Sequence, residues 1–272
     1  MLLFDTHCHL TDKTYTQKDI EFIINKLRED NIFCISMATD LEELPKLIDI
    51  SKNNNVYFGF GIHPYEAYKY YPISKYENII LKAFEQHKNN NKLIFLGEVG
   101  IDLYRDEQKE TKNQQIEVFE YFVYLAYKYD LPLSIHSRSA EQDVINILKK
   151  YESKKHIKAV FHCFTSSNKE ILKEIIDNNW YIGLGGIITY NNKKNDYLKE
   201  IVLNVDLNNI LLETDSPYLA PQPYRGKTNY PFYVKLIYEF VFNLKKIDLP
   251  IICDIILNNL KKIINSQKLT FF

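Results

Sequence analysis

The chain has 272 residues, 46% of them hydrophobic and 25% charged, with a formal net charge of −1 at pH 7. This length and apolar content suit one large globular domain, so we predict that residues 1–272 form a single domain. The balanced charge excludes a protein that is basic over its whole surface, and an anionic substrate would have to be met by a local patch.

Cysteine usage and hydropathy bear on the compartment. Cys8, Cys34, Cys163 and Cys253 show no paired spacing, which favours free thiols in a reducing compartment. The opening MLLFDTHCHL lacks the pattern of a secretory signal, and no apolar run approaches the ~20 residues of a membrane span. We therefore expect a cytoplasmic protein without membrane contact; a nuclear location, or secretion by an upstream segment or a route without a signal peptide, stays open.

Eight short apolar or β-branched runs alternate with longer helical patterns along the chain. They predict strands at 2–7, 32–38, 56–61, 92–98, 131–136, 158–164, 180–186 and 209–214. Apolar residues at helical spacing predict helices at 19–30, 115–129, 141–151, 168–178, 231–246 and 251–267. This alternation is typical of an α/β fold, and eight strands in this length indicate a single (β/α)8 TIM barrel.

An open doubly wound sheet is the alternative α/β fold. It would favour a glycine-rich phosphate loop after an early strand, and the sequence has none there. The predicted strands also look apolar on both faces, as strands enclosed by helices should. We therefore predict the barrel.

Most histidines fall at the ends of predicted strands. His7 and His9 close the first strand, His63 follows the third, His136 ends the fifth and His162 lies in the sixth. Because side chains alternate along a strand, His7 and His9 share a face. All strand C-termini of a parallel barrel emerge at one end, so the fold would gather these five imidazoles at one mouth. Such a gathering indicates a metal site.

Two carboxylates join this set, since Glu98 ends the fourth strand and Asp215 follows the eighth. The candidate metal ligands are His7, His9, Glu98, His136, His162 and Asp215. Six ligands exceed what one tetrahedral ion requires, which favours two divalent ions bridged by Glu98. Imidazole and carboxylate ligands suit Zn²⁺ or Mn²⁺ and tolerate Mg²⁺, so the number of ions (one or two) and their identity stay open. Asp5 shares a face with His7 one layer deeper, and we expect it to orient the ligands by hydrogen bonding.

Basic residues follow the same strand ends. Arg138 lies two residues after His136, and Arg225 and Lys227 follow Asp215 in PYRGKTNYP. Their cationic groups would anchor an anion such as a phosphate. Aromatic side chains that could stack on bases are Tyr65, Tyr104, Phe164 and Tyr190.

The chain resembles the TatD family of metal-dependent deoxyribonucleases in a series of motifs. In order, these motifs are FDTHCHL, GIHPYEA, GEVGIDLY, LPLSIHSRSA, FHCFTSS, YIGLGG, LLETDSPYLAP and PYRGKTNYP, and they span essentially the whole predicted fold. The resemblance implies a TIM barrel of the metallo-dependent hydrolase type with one or two divalent ions. It further implies that one ion is held by His7, His9, Glu98 and Asp215, and the other by Glu98, His136 and His162.

The same resemblance implies hydrolysis of DNA phosphodiester bonds, and we expect a monomer with 3'-5' exonuclease-like action on single strands or ends. Asp215 is the candidate to orient the attacking water and accept its proton, and Glu98 acts with it as the bridging carboxylate. His63 would donate a hydrogen bond to the phosphate or the leaving oxygen. The expected substrate-binding residues are Arg138, Arg225, Lys227 and Tyr104. The alternatives are a metal-dependent hydrolase of small esters, amides or phosphotriesters, and a catalytically silent binding protein.

Three positions depart from the family pattern. Tyr230 stands where an acidic residue usually precedes proline, Phe122 where glutamine is frequent, and Leu103 where an aromatic residue is common. None is a candidate ligand, but Tyr230 bears on the substrate contacts of its loop. Cys8 and Cys163 alternate away from the neighbouring histidines, so we expect both to be packing residues.

Overall fold

The computed structural model describes residues 1–152 and 155–264. Eight parallel strands form one sheet in chain order, and it curls into a nearly closed barrel. The strands are β1 (Leu3–Cys8), β2 (Ile32–Ala38), β3 (Val56–Phe60), β4 (Leu93–Asp102), β5 (Leu133–Arg138), β6 (Ala159–Phe161), β7 (Tyr181–Leu184) and β8 (Ile210–Leu212). The predicted (β/α)8 barrel is confirmed.

Helices alternate with these strands around the barrel. Those in the described residues are α1 (Gln17–Glu29), α2 (Leu44–Ser51), α3 (Glu77–His87), α4 (Asp106–Glu110), α5 (Lys112–Tyr129), α6 (Glu141–Glu152), α7 (Lys169–Asp177), α8 (Asp196–Asn204), α9 (Val234–Lys245) and α10 (Leu249–Ile263). The helix predicted at 251–267 corresponds to α10, and its last three residues lie outside the described part. Helices α2, α3 and α8 were not among the predicted helices. They span only 8, 11 and 9 residues, and short helices show a weaker periodic pattern.

Strand β4 is longer and strand β6 is shorter than predicted, so two candidate ligands lie in different elements from those expected. β4 continues four residues beyond the predicted end at Glu98, because Val99 to Asp102 pair with β5. β6 ends at Phe161, so His162 follows the strand, and the next residue, Cys163, turns the chain with a φ of 45°. Glu98 therefore lies within a strand, and His162 lies in a loop.

Every residue of β1, β2, β3 and β4 is buried, as expected for strands enclosed by helices. At Gly100 the strands β4 and β5 approach so closely that a Cβ atom would lie 1.9 Å from the carbonyl oxygen of His136. Only glycine fits there, particularly at its φ of +149°. In the described part of the chain, no helix combines the length and apolarity needed to cross a bilayer.

The seam between β8 and β1 closes the barrel through residues at its mouth. Thr6 Oγ1 donates a hydrogen bond to the Leu212 carbonyl at 3.1 Å. Beyond the strand ends, the backbone N–H of Asp215 donates to the His7 carbonyl at 2.9 Å, and that of His9 to the Ser216 carbonyl at 2.7 Å. Three candidate ligands thus form part of the seam through their backbones.

At the opposite end of β8, α10 ties the strand down through the fully buried Asn259. The Asn259 side-chain amide donates to the carbonyl of Leu207 at 2.6 Å and to that of Ile210 at 2.9 Å. Asn259→Ala removes two buried hydrogen bonds between α10 and the segment that leads into β8, so we expect the free energy of unfolding to fall by roughly 2–4 kcal/mol. Urea denaturation followed by circular dichroism measures the loss.

Asn258→Ala is the matched control, because Asn258 is exposed one residue earlier in α10. It should change the free energy of unfolding by no more than about 0.5 kcal/mol. Equal effects of the two substitutions would contradict the anchoring role of Asn259.

Candidate metal centre

The six candidate ligands meet at the C-terminal mouth of the barrel. In chain order they are His7 in β1, His9 after β1, Glu98 in β4, His136 in β5, His162 after β6 and Asp215 after β8. Five of them are buried, with at most 9% of their surface exposed, and His136 is partly buried. The fold therefore brings side chains from five strand ends into one buried cluster.

One oxygen of the Glu98 carboxylate faces the pair of histidines from the first strand. Glu98 Oε2 lies 3.4 Å from His7 Nε2 and 3.3 Å from His9 Nε2, and the two nitrogens are 3.2 Å apart. Asp215 Oδ1 completes the group at 3.3 Å from His9 Nε2 and 4.0 Å from His7 Nε2. A tetrahedral ion with bonds of ~2.0–2.1 Å has ligand atoms ~3.3 Å apart, so the spacing fits a small divalent cation.

The other Glu98 oxygen faces a second pair of histidines. Glu98 Oε1 lies 2.7 Å from His136 Nδ1 and 2.7 Å from His162 Nε2, and these nitrogens are 3.4 Å apart. The donor set is again imidazole and carboxylate, which suits Zn²⁺, Mn²⁺ or a related ion. Glu98 thus presents one oxygen to each group, the arrangement that a bridging carboxylate requires.

Three of the four ligand imidazoles also have a hydrogen-bond partner for their second ring nitrogen. His136 Nε2 lies 2.9 Å from Asp102 Oδ2, which fixes the ring with Nδ1 toward Glu98. The equivalent pairs are His7 Nδ1 with Ser134 Oγ at 2.9 Å and His9 Nδ1 with the Met37 carbonyl at 3.3 Å. Such partners hold a metal-binding imidazole in one tautomer and one orientation.

His63 lies beside this cluster, but its ring is set up to donate a hydrogen bond. Its Nδ1 accepts a hydrogen bond from the backbone N–H of Tyr65 at 3.1 Å, so that nitrogen carries no proton. Burial lowers the pKa of His63 to about 3, so the ring is neutral and its proton lies on Nε2. This nitrogen is 3.5 Å from Glu98 Oε1. A protonated nitrogen cannot ligate a metal, although His63, Glu98 and His136 lie close enough together to surround one.

Asp5 lies beneath the cluster. Its hydrogen bonds are to residues of the β1–β8 seam and not to an imidazole ring. Its carboxylate accepts hydrogen bonds from Thr214 N at 2.8 Å and Thr214 Oγ1 at 2.6 Å, and from the backbone of His7 at 3.4 Å. Burial raises the pKa of Asp5 well above its usual value despite these hydrogen bonds. Asp5 therefore fixes the first strand against the loop after β8, and with it the backbones of the candidate ligands His7 and Asp215.

Charge pairing dominates the protonation of the cluster. Burial disfavours a charged imidazole at His9, but its hydrogen bond to Asp215 and the charge of Glu98 raise the pKa of His9 to about 9. Burial alone would raise the pKa of Glu98, yet the neighbouring imidazoles, His162 first among them, hold it well below its usual value. A divalent cation that binds here would therefore displace protons from the imidazoles.

A cavity of about 500 Å³ opens over the cluster. Its acidic lining residues are Asp12, Glu43, Glu66, Glu98, Asp102 and Asp215. Among the lining residues that the structure describes, Arg138 is the single arginine or lysine. Cys163 also lines the cavity, contrary to the packing role expected for it, because the turn after β6 carries it toward the mouth. Burial raises the pKa of the Cys163 thiol well above its usual value, which keeps it protonated.

The other predicted substrate-binding residues, Tyr104, Arg225 and Lys227, are not among the described residues that line the cavity. Tyr104 is 58% exposed, and the Arg138 guanidinium lies 3.7 Å from the centre of its ring. The Arg225 guanidinium lies 4.5 Å from the ring centre of Tyr190, and Arg225 and Lys227 are both exposed outside the described cavity lining.

Two of the expected stacking faces, Phe164 and Tyr190, are buried and have little free surface for a base. Tyr65 lines the cavity and donates a hydrogen bond to Asp102 at 3.0 Å. Tyr230 packs against Phe232 with a centroid distance of 5.2 Å, inside an aromatic cluster, and it is not among the described residues that line the cavity. Its departure from the family pattern therefore concerns packing in that loop.

Sequence reasoning missed two buried carboxylates, Asp102 and Glu213. Asp102 lies four residues after Glu98 in the same strand, so side-chain alternation could have placed both on one face. Glu213 lies two residues before Asp215, and its side chain is 3.6 Å from His162. Neither residue stood out in the sequence, because the histidine that each one contacts comes from another part of the barrel and is distant along the chain.

Comparison with known proteins identifies the family of the chain. The sequence profile of the TatD related DNase family matches residues 4–265. The uncharacterized metal-dependent hydrolase YabD of Bacillus subtilis is 33% identical over 264 residues, covering 96% of this chain and 98% of YabD. The uncharacterized metal-dependent hydrolase YcfH of Escherichia coli K12 is 32% identical over 267 residues, covering 97% of this chain and 96% of YcfH.

The fold is shared with a solved structure of the same family. The crystal structure of YjjV, a TatD homolog from Escherichia coli K12, superposes with a TM-score of 0.83 at 24% identity, covering 97% of this chain and 98% of YjjV. The chain is therefore a metal-dependent hydrolase that belongs to the TatD related DNase family.

Proposed function

We propose that this protein is a divalent-metal-dependent deoxyribonuclease that hydrolyses phosphodiester bonds at the ends of single strands, with 3'-5' exonuclease-like action. The observation that carries the proposal is the Glu98 carboxylate, which presents one oxygen to each of two imidazole groups inside a cavity. Membership of the TatD related DNase family supports DNA as the substrate.

Bound divalent ions would supply a water of lowered pKa and neutralise charge on the phosphoryl oxygens. His7, His9, Glu98 and Asp215 are the proposed ligands of one ion, and Glu98, His136 and His162 those of the other. Asp215 lines the cavity at the edge of the first group, where its carboxylate can orient the attacking water and accept its proton.

His63 and Arg138 act on the substrate side of the same cavity. The proton on His63 Nε2 can be donated to a phosphoryl oxygen or to the leaving oxygen, since the other nitrogen is bound by the backbone of Tyr65. The Arg138 guanidinium can pair with a phosphate, and its contact with Tyr104 limits its orientations.

The size and charge of the cavity support an end-directed activity. A volume of about 500 Å³ suits a nucleotide-sized group and is too small to enclose a duplex. Among the described residues that line the cavity, six carry carboxylates and one is an arginine, so a phosphodiester would be repelled until cations balance the acidic wall. Substrate binding therefore depends on loaded ions.

The same acidic lining favours a second candidate function. A neutral ester, amide or phosphotriester would enter the cavity without this repulsion, and one divalent ion would suffice to polarise its carbonyl or phosphoryl oxygen. Arg138 distinguishes the two candidates, because a neutral substrate has no use for a cation there.

Removing either key carboxylate should abolish the activity. We expect Asp215→Asn and Glu98→Ala each to lower the rate of divalent-dependent cleavage of an end-labelled single-stranded oligonucleotide by about 100-fold or more. Asp143→Asn is the control, since Asp143 pairs with Lys112 on the protein surface. Rates are measured after chelation and metal add-back, and circular dichroism checks the fold. Near-normal rates in both variants would remove these residues from the mechanism.

His63→Ala tests whether His63 donates a hydrogen bond to the substrate or binds the metal. Because the proton of His63 lies on the nitrogen that faces the cluster, we expect kcat to fall by about 10²–10⁴-fold while the metal content stays unchanged. Elemental analysis gives the metal content, and His156→Ala, at an exposed histidine, is the control. A parallel loss of bound metal would identify His63 as a ligand.

Arg138→Met should separate the two candidate functions. If the substrate is DNA, we expect KM for the oligonucleotide to rise by about 10-fold or more, since a charge-assisted contact is worth roughly 1.5–3 kcal/mol. A panel of neutral esters and phosphotriesters is assayed alongside with both proteins. Turnover of a neutral substrate that Arg138→Met leaves unchanged, without cleavage of the oligonucleotide, would favour the second function.

A further inference from the structure

Glu213 is a fully buried carboxylate that has no role in the chemistry described above. It follows β8, and its backbone N–H donates to the Leu184 carbonyl at 3.2 Å. Its Oε1 accepts a hydrogen bond from the backbone N–H of Cys163, whereas its Oε2 has no hydrogen-bond partner among the described residues. A buried carboxylate oxygen without a partner is unusual enough to call for an explanation.

The neighbouring His162 also has a ring nitrogen without a hydrogen-bond partner. Its Nδ1 is buried and, within the described ranges, has no hydrogen-bond partner; it lies 3.6 Å from Glu213 Oε1. Its Nε2 faces Glu98 Oε1 at 2.7 Å. A neutral imidazole that offers Nε2 to a cation must carry its proton on Nδ1, and Glu213 is the acceptor that this proton faces.

The protein also provides a space for this carboxylate. Gly183 lies in the neighbouring strand β7, and a Cβ atom built on it would lie 2.2 Å from Glu213 Oε2. Any side chain at this position would displace the carboxylate from beside His162. The missing side chain at Gly183 therefore leaves a slot that the Glu213 carboxylate occupies beside His162.

We propose that Glu213 is a positioning residue for metal binding. Its carboxylate acts as the acceptor for the Nδ1–H of His162, and so holds the tautomer and ring orientation that would present Nε2 to the ion shared with Glu98 and His136. This inference rests on the proposed function, because it needs a cation at that position. It completes the cluster, since the other three ligand imidazoles already have partners for their second nitrogens.

Metal titration of protein that has been stripped of metal by a chelator tests the inference. Mn²⁺ binding is measured by isothermal titration calorimetry for the wild type, Glu213→Ala and Glu213→Gln, and His136→Ala identifies which binding event belongs to the second group. We expect Glu213→Ala to weaken that event by about 10–100-fold and to leave the other unchanged. Glu213→Gln should recover much of the affinity, because its amide oxygen still accepts a hydrogen bond.

Asp206→Asn is the matched control, because Asp206 precedes β8 at the opposite end of the barrel and is not a ligand. Gly183→Ala provides an independent variant that retains Glu213 but fills its slot, and it should weaken the same event. Nitrogen-15 NMR of the Zn²⁺-loaded protein reports the proton on His162 Nδ1, which should be present in the wild type and lost or shifted in Glu213→Ala.

The possible outcomes separate this inference from the proposed function. Selective weakening of the second event with recovery in Glu213→Gln supports it. Wild-type affinities in Glu213→Ala, or equal weakening of both events, would overturn the positioning role while leaving the metal centre intact. A wild-type protein that binds no Mn²⁺ or Zn²⁺ would instead overturn the proposed function.

Discussion

The mouth of this barrel is organised by a single buried carboxylate that faces in two directions. Glu98 lies within 3.4 Å of two imidazoles through one oxygen and at 2.7 Å from two others through the second. These four rings come from three different parts of the barrel, and without a shared anion between them they would expose unpaired ring nitrogens in a buried space. The position of Glu98 within β4 follows from the close contact that Gly100 allows between β4 and β5.

The architecture and the site also share the seam that closes the barrel. Asp5, Thr6 and Thr214 join the first strand to the end of the last, and backbone hydrogen bonds of His7, His9 and Asp215 continue that seam at the mouth. The geometry of the first ligand group is therefore set by the same contacts that complete the sheet. The fold itself therefore fixes the backbone positions from which these three side chains project.

The sequence predicted the barrel and the gathering of histidines because both depend on simple periodicity and on where parallel strands end. It did not predict the extension of β4 or the turn after His162, which depend on pairing with β5 and on a left-handed residue at Cys163. The partners Asp102 and Glu213 were missed, since a lone acid in an apolar run gains its meaning only from a neighbouring strand. Arg225 and Lys227 lie outside the described cavity lining, and their predicted role in binding substrate stays a prediction.

Because the candidate ligands are part of the seam, metal binding there would stabilise the folded barrel. An ion held by His7, His9 and Asp215 binds the folded chain and not the unfolded one, so at a hundredfold excess over its Kd it adds about 2.7 kcal/mol to the stability of the fold. Melting temperature and resistance to proteolysis would then rise and fall with the supply of divalent ions. If His7, His9 and Asp215 hold an ion, the stability of the closed barrel would depend on the concentration of that ion.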